Sequence, residues 1–275
     1  MTVSDLSHAV PLVLVGAGKM GGAMLSGWIA RGMPGHGVFV IDPSPSDDMA
    51  AFIASHGLRH KTEAPASLAA KVIVLAVKPQ MFDSVLPGLA HLIGPDTVVL
   101  SIAAGKTIGG IEDDFGRCAI VRAMPNTPAQ VGRGVSVGVA NSATTDAQKA
   151  LVDTLLSAVG RVEWVDDEAL IDAVTAVSGS GPAYVFHMVE ALAAAGVAAG
   201  LEPGMAARLA RATVEGAGEL MYQSPLDPAV LRQNVTSPKG TTAAALDVLM
   251  GADGLTGLMT KAVDAAARRS RELAG

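Results

Sequence analysis

A single cysteine, Cys118, stands among 275 residues, which excludes both a disulfide framework and a thiolate zinc cluster. Aromatic residues make up 3% of the chain, too few to build base-stacking platforms for single-stranded nucleic acid. Positive charge is also short. Lys and Arg number 20 against 26 Asp and Glu, a net charge of −6, whereas a nucleic-acid surface draws most of its affinity from basic patches. Half of the residues are apolar, yet the longest largely apolar stretches are Ala69–Val77 and Ala191–Leu201. Both fall far short of the roughly 18–20 residues that a spanning helix requires. No cationic stretch precedes Val10–Val15, so the start of the chain does not read as a secretory signal, and a cytoplasmic location is expected. The one histidine pair at helical spacing is His56 and His60. Gly57 between them breaks the helix that would align them, so no metal site is expected.

What is present is a pattern that changes once. Over the first 165 residues, short runs rich in Val, Ile, Leu and Ala recur at Leu12–Val15, Val38–Ile41, Val72–Ala76, Val98–Ser101, Ala119–Ala123 and Val135–Ala140. Helical segments lie between most of them, at Lys19–Ala30, Asp47–His56, Met81–Leu92 and Thr107–Phe115. Uninterrupted apolar strands separated by helices predict a mostly parallel, doubly wound sheet covered on both faces. A helix near Thr145–Val159 and a strand near Arg161–Trp164 close this half. Beyond Val165 only helices are expected: Glu168–Val177, a long Ala-rich helix ending near Gly200, another from Pro203 to Gln223, then Thr242–Met250 and Leu255–Leu273. Pro225 and Pro228 mark a turn. The domains are therefore expected at 1–165 and 166–275. Small residues on two helices (Ala191, Ala194, Ala195, Ala198; Ala206, Ala210, Ala217) favour close packing. So much small apolar surface reads as a dimer interface, the alternative being a tight monomeric bundle. Disorder is expected only over about the first eight residues.

The first strand runs directly into Gly16-x-Gly18-x-x-Gly21, which opens a helix. In such a fingerprint, Gly16 makes the tight turn, Gly18 lets a pyrophosphate approach the backbone and Gly21 permits close helix–strand packing. The helix start then holds the phosphates with its free N–H groups and dipole. Asp42 follows about 20 residues later at the end of the second strand, the position from which an acidic side chain meets a ribose. The N-terminal half is thus expected to be a Rossmann domain binding a nicotinamide dinucleotide. Asp42 favours NADH, whereas the hydroxyls of Ser44 and Ser46 suit a 2′-phosphate, so the choice between NADH and NADPH stays open.

Other strand ends converge on the same crevice. Pro79 stops the third strand after Lys78, and Ser101-Ile-Ala-Ala-Gly105 and Val121–Pro128 end two further strands. Asn126 and Thr127, held between prolines, are placed to bind a nicotinamide carboxamide. With Ala76-Val-Lys-Pro79, Met124-Pro-Asn-Thr-Pro128, Ser178-Gly-Ser-Gly-Pro-Ala-Tyr184 and Asn234-Val-Thr-Ser-Pro-Lys-Gly-Thr-Thr242, the chain resembles the pyrroline-5-carboxylate reductase family from about residue 11 onward. The resemblance implies reduction of 1-pyrroline-5-carboxylate to L-proline with NADPH or NADH, the final step of proline biosynthesis. It also implies a Rossmann domain followed by an all-α dimerisation domain, with dimers often building decamers. By motif, Gly16, Ala17, Gly18, Lys19, Met20 and Gly21 would contact the cofactor. So would Ala76, Val77, Lys78, Pro79, Ile102, Ala103 and Ala104. Asn234 would lie between cofactor and substrate, with Glu168 nearby, and Thr241 and Thr242 would hold the substrate, the Thr242 hydroxyl near the ring nitrogen.

The residue chemistry of Ser237–Leu246 agrees: a turn leads into a helix start at which the N–H groups of Gly240, Thr241 and Thr242, aided by Ser237, form an anion cradle. The alternative is an ordinary capped helix start. A protonated imine is already electrophilic, so proximity and orientation are expected to carry most of the catalysis. The chain departs from the family at Lys19 for Asn, at Glu63 for a ribose-contacting Asn and at Lys239 for Gly. Lys239 either strains a left-handed backbone or adds attraction for a carboxylate. A β-hydroxyacid dehydrogenase would need a catalytic lysine on a helix of the second domain, and no Lys occurs between Arg161 and Lys239. A reductase of another cyclic imine and a non-catalytic dinucleotide sensor are the remaining alternatives. A sensor has no need of the anion loop.

Overall fold

The computed structural model describes residues 6–274. One sheet of eight strands forms the frame of the first part of the chain: β1 (Leu12–Val15), β2 (Val38–Ile41), β3 (Arg59–Lys61), β4 (Val72–Leu75), β5 (Val98–Ser101), β6 (Ala119–Met124), β7 (Gly134–Ala140) and β8 (Gly160–Trp164). Their order is β3-β2-β1-β4-β5-β6-β7-β8, and only the β6–β7 pair is antiparallel. Every residue of β1, β2, β4, β5 and β6 is buried, as uninterrupted apolar strands require of a sheet covered on both faces. Alternate side chains divide between two cores. Leu12, Leu14, Val40, Val72 and Leu100 lie on one face with Trp28, and Val13, Val15, Ile73, Leu75 and Val99 lie on the other with Phe82. The Trp28 indole, fully buried, donates to the Leu155 carbonyl at 2.9 Å.

Helices α1 (Lys19–Ala30), α2 (Asp47–Ser55), α4 (Ile108–Phe115) and α5 (Asp146–Ser157) cover the sheet near the expected positions. Their starts follow from side-chain caps: Ser46, Thr107 and Thr145 each accept a first-turn N–H, and Thr145 completes a capping box with Gln148. The helix expected at Met81–Leu92 is broken. α3 (Phe82–Val85) gives way to 3₁₀ turns at Leu86–Gly88 and Ala90–Leu92, because Pro87 cannot continue an α-helix. β3 was not expected, since its three residues Arg-His-Lys are polar and exposed at the sheet edge. The disorder expected at the start does not extend to Leu6–Ala9, which form a 3₁₀ turn with Leu6 and Ala9 buried; residues 1–5 lie outside the described residues.

The chain divides into two compact units, one running to Gly179 and resuming at Ala267, the other Ser180–Ala266. This division falls beyond the expected boundary after residue 165. The reason is that α6 (Ile171–Val174) and the π-helical turn Thr175–Gly179 supply core: Ile171 is fully buried against the sheet, and Ala176 is fully buried. The second unit is entirely helical, with α7 (Gly181–Ala198), α8 (Pro203–Gln223), α9 (Pro228–Asn234), α10 (Thr241–Leu249) and the larger part of α11 (Leu255–Ala274). α7 packs on α8 through small residues, and a Cβ at Gly196 would stand 3.3 Å from the Ala206 Cβ. Pro228, expected to mark a turn, instead opens α9 at a position where its missing N–H costs nothing. Glu202 caps α8, and the Gly204 and Met205 N–H groups that donate to it hold its carboxyl below the ordinary range. No helix among the described residues is long and apolar enough to cross a membrane.

Candidate active site

The parallel ladder continues past the strand ends and aligns the fingerprint with its neighbours. Gly16 N–H donates to the Ile41 carbonyl at 2.9 Å, Ala76 N–H to Val15 at 2.8 Å and Ile102 N–H to Leu75 at 3.0 Å. Gly16, Ala76 and Ile102 therefore stand side by side at the C-terminal edge of the sheet, where open α/β sheets bind ligands. Gly16 has φ +89°, and a Cβ there would meet the Ala76 carbonyl oxygen at 2.9 Å. A Cβ at Gly21 would run into the Gly16 carbonyl oxygen, so α1 packs on the turn only with glycine at this place. Gly18, by contrast, has open space where a Cβ would stand, and as N-cap of α1 it brings no capping side chain. A cavity of ≈ 650 Å³ opens here between Gly16, Gly18, Asp42, Ala76, Val77 and Lys78. An uncapped helix start facing a glycine cradle fits the pyrophosphate of a nicotinamide dinucleotide. Ala17, Ile102 and Ala103 are buried, whereas Lys19, Lys78 and Ala104 are exposed and Met20, Val77 and Pro79 half-buried.

Asp42 is tied down. Its carboxylate accepts N–H bonds from Ala17 at 2.8 Å and from exposed Ser44 at 2.9 Å. The Asn126 amide is anchored on both atoms, Oδ1 accepting from Val135 N–H at 2.9 Å and Nδ2 donating to the Ser178 carbonyl at 3.1 Å. It ties the π-helical turn to β7. Glu168 is anchored within the protein through one of its two oxygens. Its Oε1 accepts from the Ile108 N–H at 2.9 Å and from Arg122 Nη1 at 2.7 Å, so it holds the start of α4 against β6 and keeps its other oxygen for a further partner. Arg122 was not foreseen, although an Arg inside the apolar run Ala119–Ala123 was the available signal. It is 4% exposed, and its Nε has no partner.

The second unit carries the other motif. Asn234 ends α9 and is exposed. Ser237, Pro238, Lys239 and Gly240 form a turn closed by Gly240 N–H donating to the Ser237 carbonyl at 3.0 Å. Lys239, at φ +57°, is the one non-glycine residue with positive φ among the described residues. Proline at the second turn position and positive φ at the third describe a type II turn, whose third position prefers glycine. The bond to Ser237 removes the Gly240 N–H from the expected anion cradle. The donors left over at the start of α10 are the N–H groups of Thr241, Thr242 and Ala243, since no side chain caps this end and Gly240 is its N-cap.

Residues 168–273 match the pyrroline-5-carboxylate reductase dimerisation family, and residues 11–105 match the family described as NADP oxidoreductase coenzyme F420-dependent. The chain is 41% identical over 266 residues to the pyrroline-5-carboxylate reductase of Pseudomonas aeruginosa, covering 96% of each. It belongs to the pyrroline-5-carboxylate reductase family. The reductase of Synechocystis is 48% identical over 203 residues, covering 74% of this chain and 75% of its own. Among solved structures, the pyrroline-5-carboxylate reductase of Coxiella burnetii superposes with a TM-score of 0.89 at 36% identity, covering 97% of this chain and 99% of its own. The Plasmodium falciparum pyrroline carboxylate reductase, with NADP bound, gives 0.78 at 29% identity, with 98% and 99% covered. A Rossmann domain followed by a helical dimerisation domain is thus the architecture of this reductase family and of this chain.

Proposed function

We propose that this chain catalyses the NAD(P)H-dependent reduction of 1-pyrroline-5-carboxylate to L-proline, the final step of proline biosynthesis. The observation that carries the reading is its 41% identity over almost its whole length to a reductase of that name. A bound reduced nicotinamide supplies the hydride for the C=N bond. The fingerprint Gly16–Gly21, with Ala76, Val77, Lys78, Pro79 and Ile102–Ala104, positions that cofactor at the sheet edge. The N–H groups of Thr241, Thr242 and Ala243, aided by Ser237, bind the substrate carboxylate, and Asn234 contacts substrate and cofactor. The Thr242 hydroxyl hydrogen-bonds the ring nitrogen as it becomes an amine. Residues 1–165 serve the dinucleotide and 166–275 serve substrate and dimerisation.

The working form is a cytoplasmic homodimer made through the helical domain, with five dimers assembling into a decamer. In support, Phe186, Val248 and Leu258 are each more than 60% exposed on a single chain, an apolar load that a partner copy would cover. Thermal unfolding distinguishes an enzyme from a dinucleotide sensor. L-Proline added with oxidised cofactor raises the melting temperature beyond the cofactor alone if the anion loop binds product. No further rise contradicts the reading.

A further inference from the structure

We propose that the ribose subsite of this protein is built for an unphosphorylated 2′-hydroxyl and that the chain binds NADH in preference to NADPH, with Asp42 as the deciding residue; this rests on the dinucleotide reading above. The two Asp42 oxygens are each engaged once, Oδ2 by Ala17 N–H at 2.8 Å and Oδ1 by Ser44 N–H at 2.9 Å. The Asp42 carbonyl also accepts from His60 Nε2 at 2.7 Å, so backbone and side chain are both held. A carboxylate offers about four acceptor positions. One on each oxygen remains, which matches the two hydroxyls of a ribose diol.

The same arrangement opposes a phosphate in three ways. The carboxylate cannot turn from an approaching 2′-phosphate without leaving the Ala17 and Ser44 N–H groups unpartnered. Those two backbone N–H groups are already taken and cannot serve an anion. The charge balance is also wrong. The ≈ 650 Å³ cavity and a neighbouring one of ≈ 670 Å³ share Gly18, Asp42 and Ser44, and the charged residues lining the pair are Lys19, Lys78, Asp42 and Glu63. Neither is lined by an arginine, the usual partner of a 2′-phosphate. Asp47 and Asp48 add two carboxylates in the first turn of α2. Ser46 Oγ, a possible phosphate ligand by sequence, caps that helix by accepting from Met49 N–H at 3.3 Å.

Titration calorimetry of the full-length protein with NAD+ and NADP+ tests this without any assay of turnover. The expected result is an affinity for NAD+ at least about 10-fold higher, the order of effect of a fixed carboxylate beside a phosphate dianion. Asp42→Ser is expected to strengthen NADP+ binding by about 10-fold and to weaken NAD+. Should that variant fail to fold after losing the Ala17 tether, Ser44→Arg at the exposed neighbouring position is expected to strengthen NADP+ while leaving the Asp42 carboxylate in place. NADP+ bound as tightly as NAD+ or more so by the unaltered protein overturns the proposal, as does an Asp42→Ser protein that folds without any gain for NADP+. Binding of neither nucleotide overturns instead the dinucleotide reading on which it rests.

Discussion

Thr242 is the second residue of α10 and half-buried, beside two first-turn N–H groups that no side chain among the described residues caps. If its hydroxyl hydrogen-bonds the ring nitrogen as the amine forms, Thr242→Ala removes a bond to a charged group. Such a bond contributes about 1.5–3 kcal/mol, so kcat is expected to fall by about 10- to 100-fold with the dissociation constant for the cofactor unchanged. Steady-state kinetics beside cofactor titration reads both, and an unaltered rate removes Thr242 from the mechanism. Three residues away, Lys239 holds φ +57° at the turn position that prefers glycine. The departure from glycine was legible in the sequence, whereas the sign of φ required the structure. Lys239→Gly is expected to stabilise the protein by about 1 kcal/mol through relief of left-handed strain, measured as the urea midpoint. A midpoint that stays in place or falls refutes the strain.

Between elements, the Arg122–Glu168 pair joins β6 to the start of α4 and to the turn before α6. Arg122 is almost fully buried, while the Glu168 side chain is 28% exposed. Removing the carboxylate strands a buried guanidinium whose Nε already lacks a partner, at a cost near the lower end of the range for broken buried pairs, about 3 kcal/mol. Glu168→Ala is expected to lower stability by that amount in chemical denaturation. A loss below about 0.5 kcal/mol, the scale of a surface substitution, contradicts the clamp. Nothing local to Asp167–Asp172 reveals that Glu168 has a partner 46 positions away in β6. Elements whose signals are local were read well. α1 and α8 occupy Lys19–Ala30 and Pro203–Gln223 as their amphipathic and proline signals dictate. What was not legible depends on distant partners: β3 exists only because β2 offers an edge to pair with, and the Asn126 bonds to Ser178 and Val135 join positions that only folding brings together.

At the scale of the whole molecule, the sequence's change of pattern after Val165 located the switch from sheet to helices, but compactness divides the chain at Gly179. Strand periodicity ends where strands end, whereas the core extends into the next helices through Ile171. The helical half is apolar yet leaves large side chains such as Phe186, Met188 and Leu192 exposed in a single chain, which its match to a dimerisation family explains. The glycine turn into α1 and the turn Ser237–Gly240 into α10 were legible because each is written in a contiguous stretch of sequence. The central claim, that these two parts serve the reduction of a cyclic imino acid, is tested most directly by the initial rate of reduced-cofactor oxidation with 1-pyrroline-5-carboxylate, run in parallel with NADH and NADPH and with L-proline quantified as product. The account predicts turnover with one L-proline formed for each cofactor oxidised, and faster at low concentration with NADH. No turnover with either, from protein that binds the cofactor, would contradict it.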